Sequence, residues 1–150
     1  MAFCNTSPKM VHPRGKQILV GTNPFSVAAQ GDGQDQFVLD MATTAVAQGK
    51  VVIAQRLGKE IPSGWGVDRH GNQTTDIPEI LYHGGLCPLG GAEETGGYKG
   101  FALGMMVELF CGILSGSKFG RDIRTWTDKG HSEEANLVGH FPHVFSQFLF

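Results

Sequence analysis

The chain lacks the features that mark two large classes of protein. Its 12 Lys and Arg stand against 14 Asp and Glu, and the formal net charge is -2. Because nucleic-acid binding relies on clustered Lys and Arg that neutralise phosphates, we expect no nucleic-acid partner. Nor does the chain contain the ~20 consecutive apolar residues that a bilayer-spanning helix requires, so we expect no membrane partner.

Cysteine is also scarce. Cys4, Cys87 and Cys111 are an odd number at wide spacings, which is typical of a reducing compartment rather than of a disulfide framework. The opening residues MAFCNTSPKMV lack a basic start followed by an apolar stretch, so no secretory signal is predicted. Together these observations predict a cytoplasmic protein.

Three common motifs for nucleotide binding and catalysis are missing. A Walker phosphate loop is excluded because Lys99 stands two places late after Gly91 and Gly96, and Gly100 follows it in place of Ser or Thr. The G-x-G-x-x-G fingerprint fails at Gln36, which occupies the place of the third glycine. No G-x-S-x-G elbow occurs. We therefore expect neither a Rossmann-type dinucleotide site nor a serine hydrolase.

Metal ligands occur only in pairs. His83 with Cys87, and His140 with His143, have no convincing third or fourth member. A structural zinc site needs four protein ligands and a catalytic site needs three. We therefore predict no metal site.

The sequence does contain three candidate strands. Residues 17–21 (QILVG) and 25–29 (FSVAA) predict two strands joined by a turn at TNP. After a polar glycine loop, FVLDMA predicts a buried strand that ends at Asp40. Since 150 residues is the size of one ordinary domain, a single domain over 1–150 is expected.

Two helices are predicted. Residues 44–60 place apolar side chains at roughly helical spacing, with Thr43 or Thr44 as a plausible N-cap and Gly58 near the end. The apolar run 101–114 measures roughly 21 Å as a helix, which is too short to cross a bilayer. We expect a largely buried helix there.

Function is expected between Ile61 and Gly100. Gly, Pro, Thr and Asp are frequent in this segment, and neither helical nor strand periodicity is visible. A compact domain rarely carries so long a stretch without secondary structure unless its loops have a function. Asp68 lies here in GWGVDRHG, a group that is either catalytic or an ordinary turn in which Asp68 binds its own backbone.

Two short segments are candidates for holding a nucleotide. In GGYKG, glycines allow close backbone approach, Lys99 supplies a cation, and a helix that begins after Gly100 favours an anion at its N-terminus. The alternative is a glycine turn with a solvated lysine. In VLDMATTA, Asp40 with Thr43 and Thr44 could hold ribose and pyrophosphate. The alternative is that these residues cap the following helix.

Taken in order, these segments resemble one family. The segments are NTSP, GTNPFSVAA, VLDMATTAVAQGKV, IPSGWGVDRHG followed by TTD, PLGG and GGYKGFALGMMVELFCGILSG. They are similar to the malate/L-lactate dehydrogenase family of NAD(P)-dependent 2-hydroxyacid oxidoreductases, which includes ureidoglycolate and sulfolactate dehydrogenases. The resemblance runs from about Cys4 to about Asn136 and leaves 137–150 as a divergent tail.

The resemblance implies an α/β fold in which a mixed β-sheet and packed helices form a non-Rossmann cofactor domain. It implies NAD or NADP as the cofactor, a 2-hydroxy or 2-oxo acid as the substrate, and homodimers with active sites between domains. Asp68 would lie in a loop facing the substrate, with Asp76 as its rival for a catalytic role. The positions that line the cofactor would be Thr6, Ser7, Asp40, Met41, Ala42, Thr43 and Lys99.

The sequence departs from the family in one respect. Family members are longer and carry a Ser-His-Gly segment, a nearby Arg and a later His that bind the acid and move the proton. This chain has none of these, so we expect a truncated cofactor domain. It is either part of a dehydrogenase or a non-catalytic remnant that binds a nucleotide or a partner. We expect the 150 residues alone not to oxidise 2-hydroxy acids.

Overall fold

Two β-sheets and three α-helices form the described part of this computed structural model, which is residues 1–123 and the backbone of a strand at 140–142. The strands are Ala2–Cys4 (β1), Met10–Val11 (β2), Ile18–Val20 (β3), Phe25–Gln30 (β4), Gln36–Met41 (β5), Gly66–Val67 (β6), Gln73–Thr74 (β7), Gly85–Leu86 (β8) and His140–Pro142 (β9). The helices are Gln48–Leu57 (α1), Ile77–Tyr82 (α2) and Gly97–Glu108 (α3), followed by a π-helical turn at Leu109–Ile113 and a 3-10 turn at Gly120–Asp122.

The sheets confirm the predicted mixed α/β fold, with two sheets in place of one. The first has the strand order β5-β4-β1-β9 and is antiparallel throughout. The second has the order β3-β2-β8-β6-β7, in which β2 and β8 run parallel and the other neighbours antiparallel. The predicted tail, 137–150, lies outside the described residues apart from the backbone of β9.

The two strands predicted at residues 17–21 and 25–29, joined by a turn, are present as β3 and β4, but they do not pair with each other. β3 pairs with β2, whereas β4 pairs with β1 and β5. The turn between β3 and β4 carries the chain from one sheet to the other. Asn23 gives this turn its direction, because its backbone is left-handed with φ 32° and its side chain is buried.

β4 and β5 form a hairpin whose tip projects into solvent. The register runs from Phe25 opposite Met41 to Gln30 opposite Gln36. Phe37 and Val38 are 57% and 67% exposed, so the expectation of a buried strand is wrong at its start. The strand also continues past Asp40. β5 is the edge strand of its sheet, and β4 is its neighbour in the described part of the chain.

α1 begins at Gln48, later than predicted, and neither threonine caps it. Ala47 is the N-cap and makes no side-chain hydrogen bond to the helix. Thr44 is buried, and its hydroxyl donates to the Val46 carbonyl at 2.9 Å. Gly58 ends the helix in a left-handed conformation with φ 61°, as the sequence predicts.

The segment from Ile61 to Gly100 is not structureless. It holds β6, β7, α2 and β8, which are too short to leave a periodic pattern in the sequence. Asp76 is the N-cap of α2, where its Oδ1 accepts from the Glu79 amide at 3.3 Å. Ile80 and Leu86 from this segment pack against Val51 of α1 in the largest buried cluster.

α3 is buried on one side only, so the expectation of a largely buried helix is wrong for its other face. Gly104, Val107 and Glu108 are buried, whereas Met105 and Leu109 are exposed. The inner face packs against Phe3 of β1 through Val107. No helix among the described residues is long and apolar enough to cross a membrane.

Candidate functional site

A glycine-rich loop before α3 borders two clefts. We call residues 89–96 the glycine loop. The first cleft, about 290 Å³, lies between this loop and residues 11–14. The second, about 560 Å³, lies between the loop and residues 63–64. Gln73, Gly91 and Ala92 line both, so the two clefts are adjacent and together have the size of a small-molecule site.

Charged side chains line the first cleft. The Arg14 Nε lies 2.9 Å from the Glu93 Oε2, and the Arg14 side chain is 71% exposed. His12 Nδ1 accepts from the Arg14 amide at 3.0 Å, and the His12 ring packs edge-on against Phe101 of α3 at 4.6 Å between centroids. Residues 12–14 are thereby held beside α3, while the exposed ion pair itself adds little stability.

Backbone amides at the start of α3 donate hydrogen bonds to carbonyls of the glycine loop. The Gly96 amide donates to the Glu93 carbonyl at 3.0 Å, and the Gly97 amide to the Ala92 carbonyl at 2.7 Å. The Lys99 amide donates to the Gly96 carbonyl at 2.9 Å. α3 thus starts before Lys99 rather than after Gly100, and these three amides are not available to an anion, contrary to the sequence-based expectation.

The Lys99 side chain, by contrast, is available. Lys99 is exposed in the first turn of α3, and its Nζ lies 5.8 Å from the Tyr98 ring centroid. No salt bridge holds this ammonium within the described residues. Gly96 precedes it with φ 96°, and a Cβ built there would come within 3.9 Å of the ammonium. A glycine at 96 therefore keeps one side of the cation open.

Thr6 and Thr43, far apart in sequence, meet at the turn between β3 and β4. The Thr6 Oγ1 accepts from the amides of Thr22 and Asn23, at 2.9 and 3.4 Å. The Thr43 Oγ1 donates to the carbonyls of the same two residues, at 3.0 and 3.2 Å. Thr43 is fully buried and Thr6 half-buried, so Thr43 supports this turn from the interior.

The segment 40–43 runs from solvent into the interior. Asp40 is exposed opposite Ser26, and Met41 and Ala42 are half-buried. The Thr43 carbonyl accepts from the Leu89 amide at 2.9 Å, which joins this segment to the glycine loop.

The predicted cofactor residues are brought together only in part. Ser7 is buried beside Thr6 in the chain. Lys99 lies on α3, whose Gly104 packs against Thr43. None of the seven predicted positions lines either of the two clefts.

Asp68 organises its own loop. Its Oδ1 accepts from the amides of His70 and Asn72 at 2.8 and 2.9 Å, and its Oδ2 accepts from the Asn72 side chain at 3.2 Å. Desolvation raises the pKa of Asp68, but the hydrogen bonds from Asn72 and His70 outweigh it and hold the pKa below its ordinary value. The turn interpretation is confirmed, and a catalytic role for Asp68 stays a prediction.

Comparison with known proteins decides the family. A family model described as malate/L-lactate dehydrogenase matches residues 1–150. The chain belongs to this family. Its mixed sheets and helices are accordingly those of a malate/L-lactate dehydrogenase family member, as the resemblance of its motifs implies.

Individual relatives of this family agree in sequence and in structure. The chain is 40% identical over 131 residues to a malate dehydrogenase of Pyrococcus horikoshii, covering 87% of this chain and 36% of that protein. It is 39% identical over 145 residues to a (2R)-3-sulfolactate dehydrogenase (NADP(+)) of Chromohalobacter salexigens, covering 97% and 41%. The crystal structure of a delta1-piperideine-2-carboxylate reductase from Pseudomonas syringae matches with a TM-score of 0.76 and 37% identity, covering 93% and 40%. The chain thus spans well under half the length of these relatives.

Sequence reasoning missed two groups of residues in this family member. His12 and Arg14 line the first cleft but lie in a segment to which no function is assigned from the sequence, although Pro13 and Gly15 mark a loop there. Asn23 and Glu108 form a buried hydrogen bond beneath the Thr6 and Thr43 hydroxyls. No local pattern signals that pair, because the two residues are 85 positions apart.

Proposed function

We propose that the chain forms the nicotinamide-cofactor part of an NAD(P)-dependent dehydrogenase of 2-hydroxy acids. The match of the family model to residues 1–150 carries this proposal. The names of relatives include malate dehydrogenase, a sulfolactate dehydrogenase (NADP(+)) and a ureidoglycolate dehydrogenase (NAD(+)). Since both nucleotides occur among these names, the proposal covers NAD and NADP.

The residues fit an anionic dinucleotide. Lys99 is an exposed cation without an ion pair among the described residues, and Gly96 leaves it open on one side. We assign Lys99 to a cofactor phosphate, since a charge-assisted hydrogen bond to phosphate is among the stronger polar contacts. Asp40, exposed at the end of β5, is assigned to a ribose hydroxyl, and Thr6 to a further polar contact. Thr43 holds the turn beneath them.

The remaining parts of the reaction follow from the same assignment. When bound, NAD(P) supplies the hydride acceptor for the 2-carbon of the hydroxy acid. Ser7, Met41 and Ala42 complete the wall around the cofactor in this proposal. Asp68 is the candidate for orienting the acid or taking its hydroxyl proton, and its lowered pKa makes it a weaker base than an ordinary aspartate. A homodimer and a cytoplasmic location belong to the same proposal.

The test is a titration of NADH and NADPH into the purified chain, followed by nicotinamide fluorescence. Lys99→Ala is expected to weaken binding by about 1 to 3 kcal/mol, the range for losing a charged hydrogen bond. Lys59→Ala removes an equally exposed lysine that follows α1, and is expected to leave affinity unchanged.

Two outcomes contradict the proposal. The first is the absence of any fluorescence response to either nucleotide. The second is equal nucleotide affinity of Lys99→Ala and the wild-type chain, which would indicate that Lys99 is a solvated surface lysine without a role in binding. An assay of NADH production by the purified chain with a panel of 2-hydroxy acids tests the expectation that these 150 residues alone do not oxidise them, and sustained turnover that vanishes with Lys99→Ala would overturn that expectation.

A further inference from the structure

We propose that Glu108 and Asn23 are positioning residues, which fix the Thr22–Asn23 turn and through it the Thr6 and Thr43 hydroxyls. The link to the cofactor rests on the proposed function, whereas the link to the turn rests on geometry alone. Neither residue touches the cofactor in this proposal, and both act through the two threonines.

Glu108 ties together segments that are far apart in the chain. Its side chain is 3% exposed at the end of α3. The Oε2 accepts from the Asn23 Nδ2 at 2.6 Å, and the Oε1 accepts from the Asn5 Nδ2 at 3.4 Å and from the Gly120 amide. One buried carboxylate therefore connects β1, the β3–β4 turn and the 3-10 turn.

Asn23 links Glu108 to Thr6 through hydrogen bonds. Its side chain is fully buried, with Oδ1 accepting from the Thr6 amide at 3.0 Å. Besides donating to Glu108, its Nδ2 donates to the Gly104 carbonyl at 3.0 Å. The side-chain oxygen of Asn23 thus accepts one hydrogen bond and its NH2 group donates two, so Asn23 holds α3 and Thr6 at a fixed separation.

The backbone of Asn23 needs this support. With φ 32° it is the one residue other than glycine with positive φ among those the structure describes. It also precedes Pro24, and proline disfavours helical conformations in the residue before it. Such conformations persist only where surrounding contacts hold them, and they concentrate at functional sites. The Glu108 carboxylate supplies one of these contacts.

The position of Glu108 in α3 agrees with a positioning role. The helix changes from α to π geometry directly after it, at Leu109–Ile113. Single π-helical turns occur frequently at functional sites. The amides of Thr22 and Asn23 both donate to Thr6, and their carbonyls both accept from Thr43, so displacing the turn moves both hydroxyls together.

The test compares five variants of the full chain. Glu108→Gln leaves one side-chain oxygen where the carboxylate offered two, and Glu60→Gln makes the same chemical change at an exposed site. Asn23→Gly accepts a left-handed backbone readily but deletes the side-chain link. The double variant, Glu108→Gln with Asn23→Asp, restores one donor–acceptor pair in the reverse direction.

Two measurements are made on each variant: amide hydrogen exchange of the peptide 20–26 and affinity for NADH and NADPH. In Glu108→Gln and Asn23→Gly we expect exchange to accelerate and affinity to fall, each by at least about fivefold. Glu60→Gln should match the wild type. Asn23→Asp is also made alone, and the double variant should lose less affinity than the product of the losses in Glu108→Gln and Asn23→Asp, because the two side chains act as a pair.

The outcomes separate this inference from the proposed function. Wild-type exchange at 20–26 in both Glu108→Gln and Asn23→Gly overturns the inference, whatever the nucleotide affinity. Wild-type affinity in Asn23→Gly also overturns it, since the backbone conformation alone would then suffice. If the wild-type chain binds neither nucleotide, the proposed function fails, and the exchange measurement still decides whether Glu108 and Asn23 hold the turn.

Discussion

The structure predicts that replacing Gly100 by alanine destabilises the protein. It lies on the buried face of α3, and a Cβ built on it would be 2.3 Å from the Leu89 carbonyl oxygen, 2.4 Å from the Leu89 nitrogen and 2.8 Å from its Cα. These are backbone atoms, which cannot rotate aside as a side chain can. Ordinary contact begins at 3.4 Å, so Gly100→Ala requires α3 and the glycine loop to separate by roughly 1 Å.

The magnitude follows from opposing effects. Replacing a helical glycine by alanine favours the helix by about 1 kcal/mol. Overpacking a tight contact costs about 1 to 3 kcal/mol, and the shift also strains the hydrogen bond from the Leu89 amide to the Thr43 carbonyl, a further ~1 kcal/mol. We therefore expect Gly100→Ala to lower the free energy of unfolding by about 1 to 3 kcal/mol.

Gly49→Ala is the matched control, because Gly49 lies in α1 with no atom within 4 Å of a built Cβ. It is expected to leave stability unchanged or raise it by up to about 1 kcal/mol. Urea unfolding followed by far-UV circular dichroism measures both variants against the wild type. Equal midpoints for Gly100→Ala and Gly49→Ala would refute the close approach of α3 to Leu89.

Two further predictions concern the loop of Asp68 and Arg69. The hydrogen bond from the Arg69 side chain, with that from its amide, lowers the pKa of Glu79 from 4.5 to about 2. The stabilisation is therefore present above about pH 4.5 and lost as pH falls towards 2, so the urea midpoint of the wild type should fall more steeply over that range than that of Glu79→Gln; parallel profiles would contradict this. Asp68→Asn should lower the urea midpoint, because an amide oxygen replaces a carboxylate that accepts three hydrogen bonds. If Asp68 transfers the proton, the same substitution in a complete enzyme that contains this domain should lower turnover by about 100-fold or more, and turnover at the wild-type rate across pH would exclude that role.

The elements found from sequence are those whose signal is local. β4 and β5 each extend over six residues, enough for strand alternation to show, and α1 and α3 extend over ten and twelve residues, enough for helical spacing to show. Strand pairing is not local. β2 and β8 pair in parallel through Met10 and Leu86, which no short-range pattern connects. The partners of β3 and β4 could not be read from the sequence for the same reason, because a short turn between two strands does not show whether they pair with each other or belong to different sheets.

The candidate site shows the same limit more clearly. Lys99 and Asp40 could be singled out because a cation beside glycines and a carboxylate at a strand end are local features. Glu108 appears in the sequence as one carboxylate within an apolar run. Its partners Asn5 and Asn23 are 103 and 85 positions away. Only the folded chain shows that this carboxylate is held by two amides rather than exposed.

The glycines of GGYKG have a different physical role from the one their sequence suggests. A Cβ on Gly97 would lie 2.0 Å from the Gly91 carbonyl oxygen, and one on Gly104 would lie 3.0 Å from the Thr43 hydroxyl. With Gly100, Gly97 lets α3 approach the glycine loop, and Gly104, one turn after the motif, lets α3 approach Thr43. These glycines therefore set the distance between Lys99 and the two threonines through packing, while the Lys99 side chain is left to contact a phosphate. Substituting them should accordingly change stability and cofactor affinity together, whereas Lys99→Ala should change affinity alone.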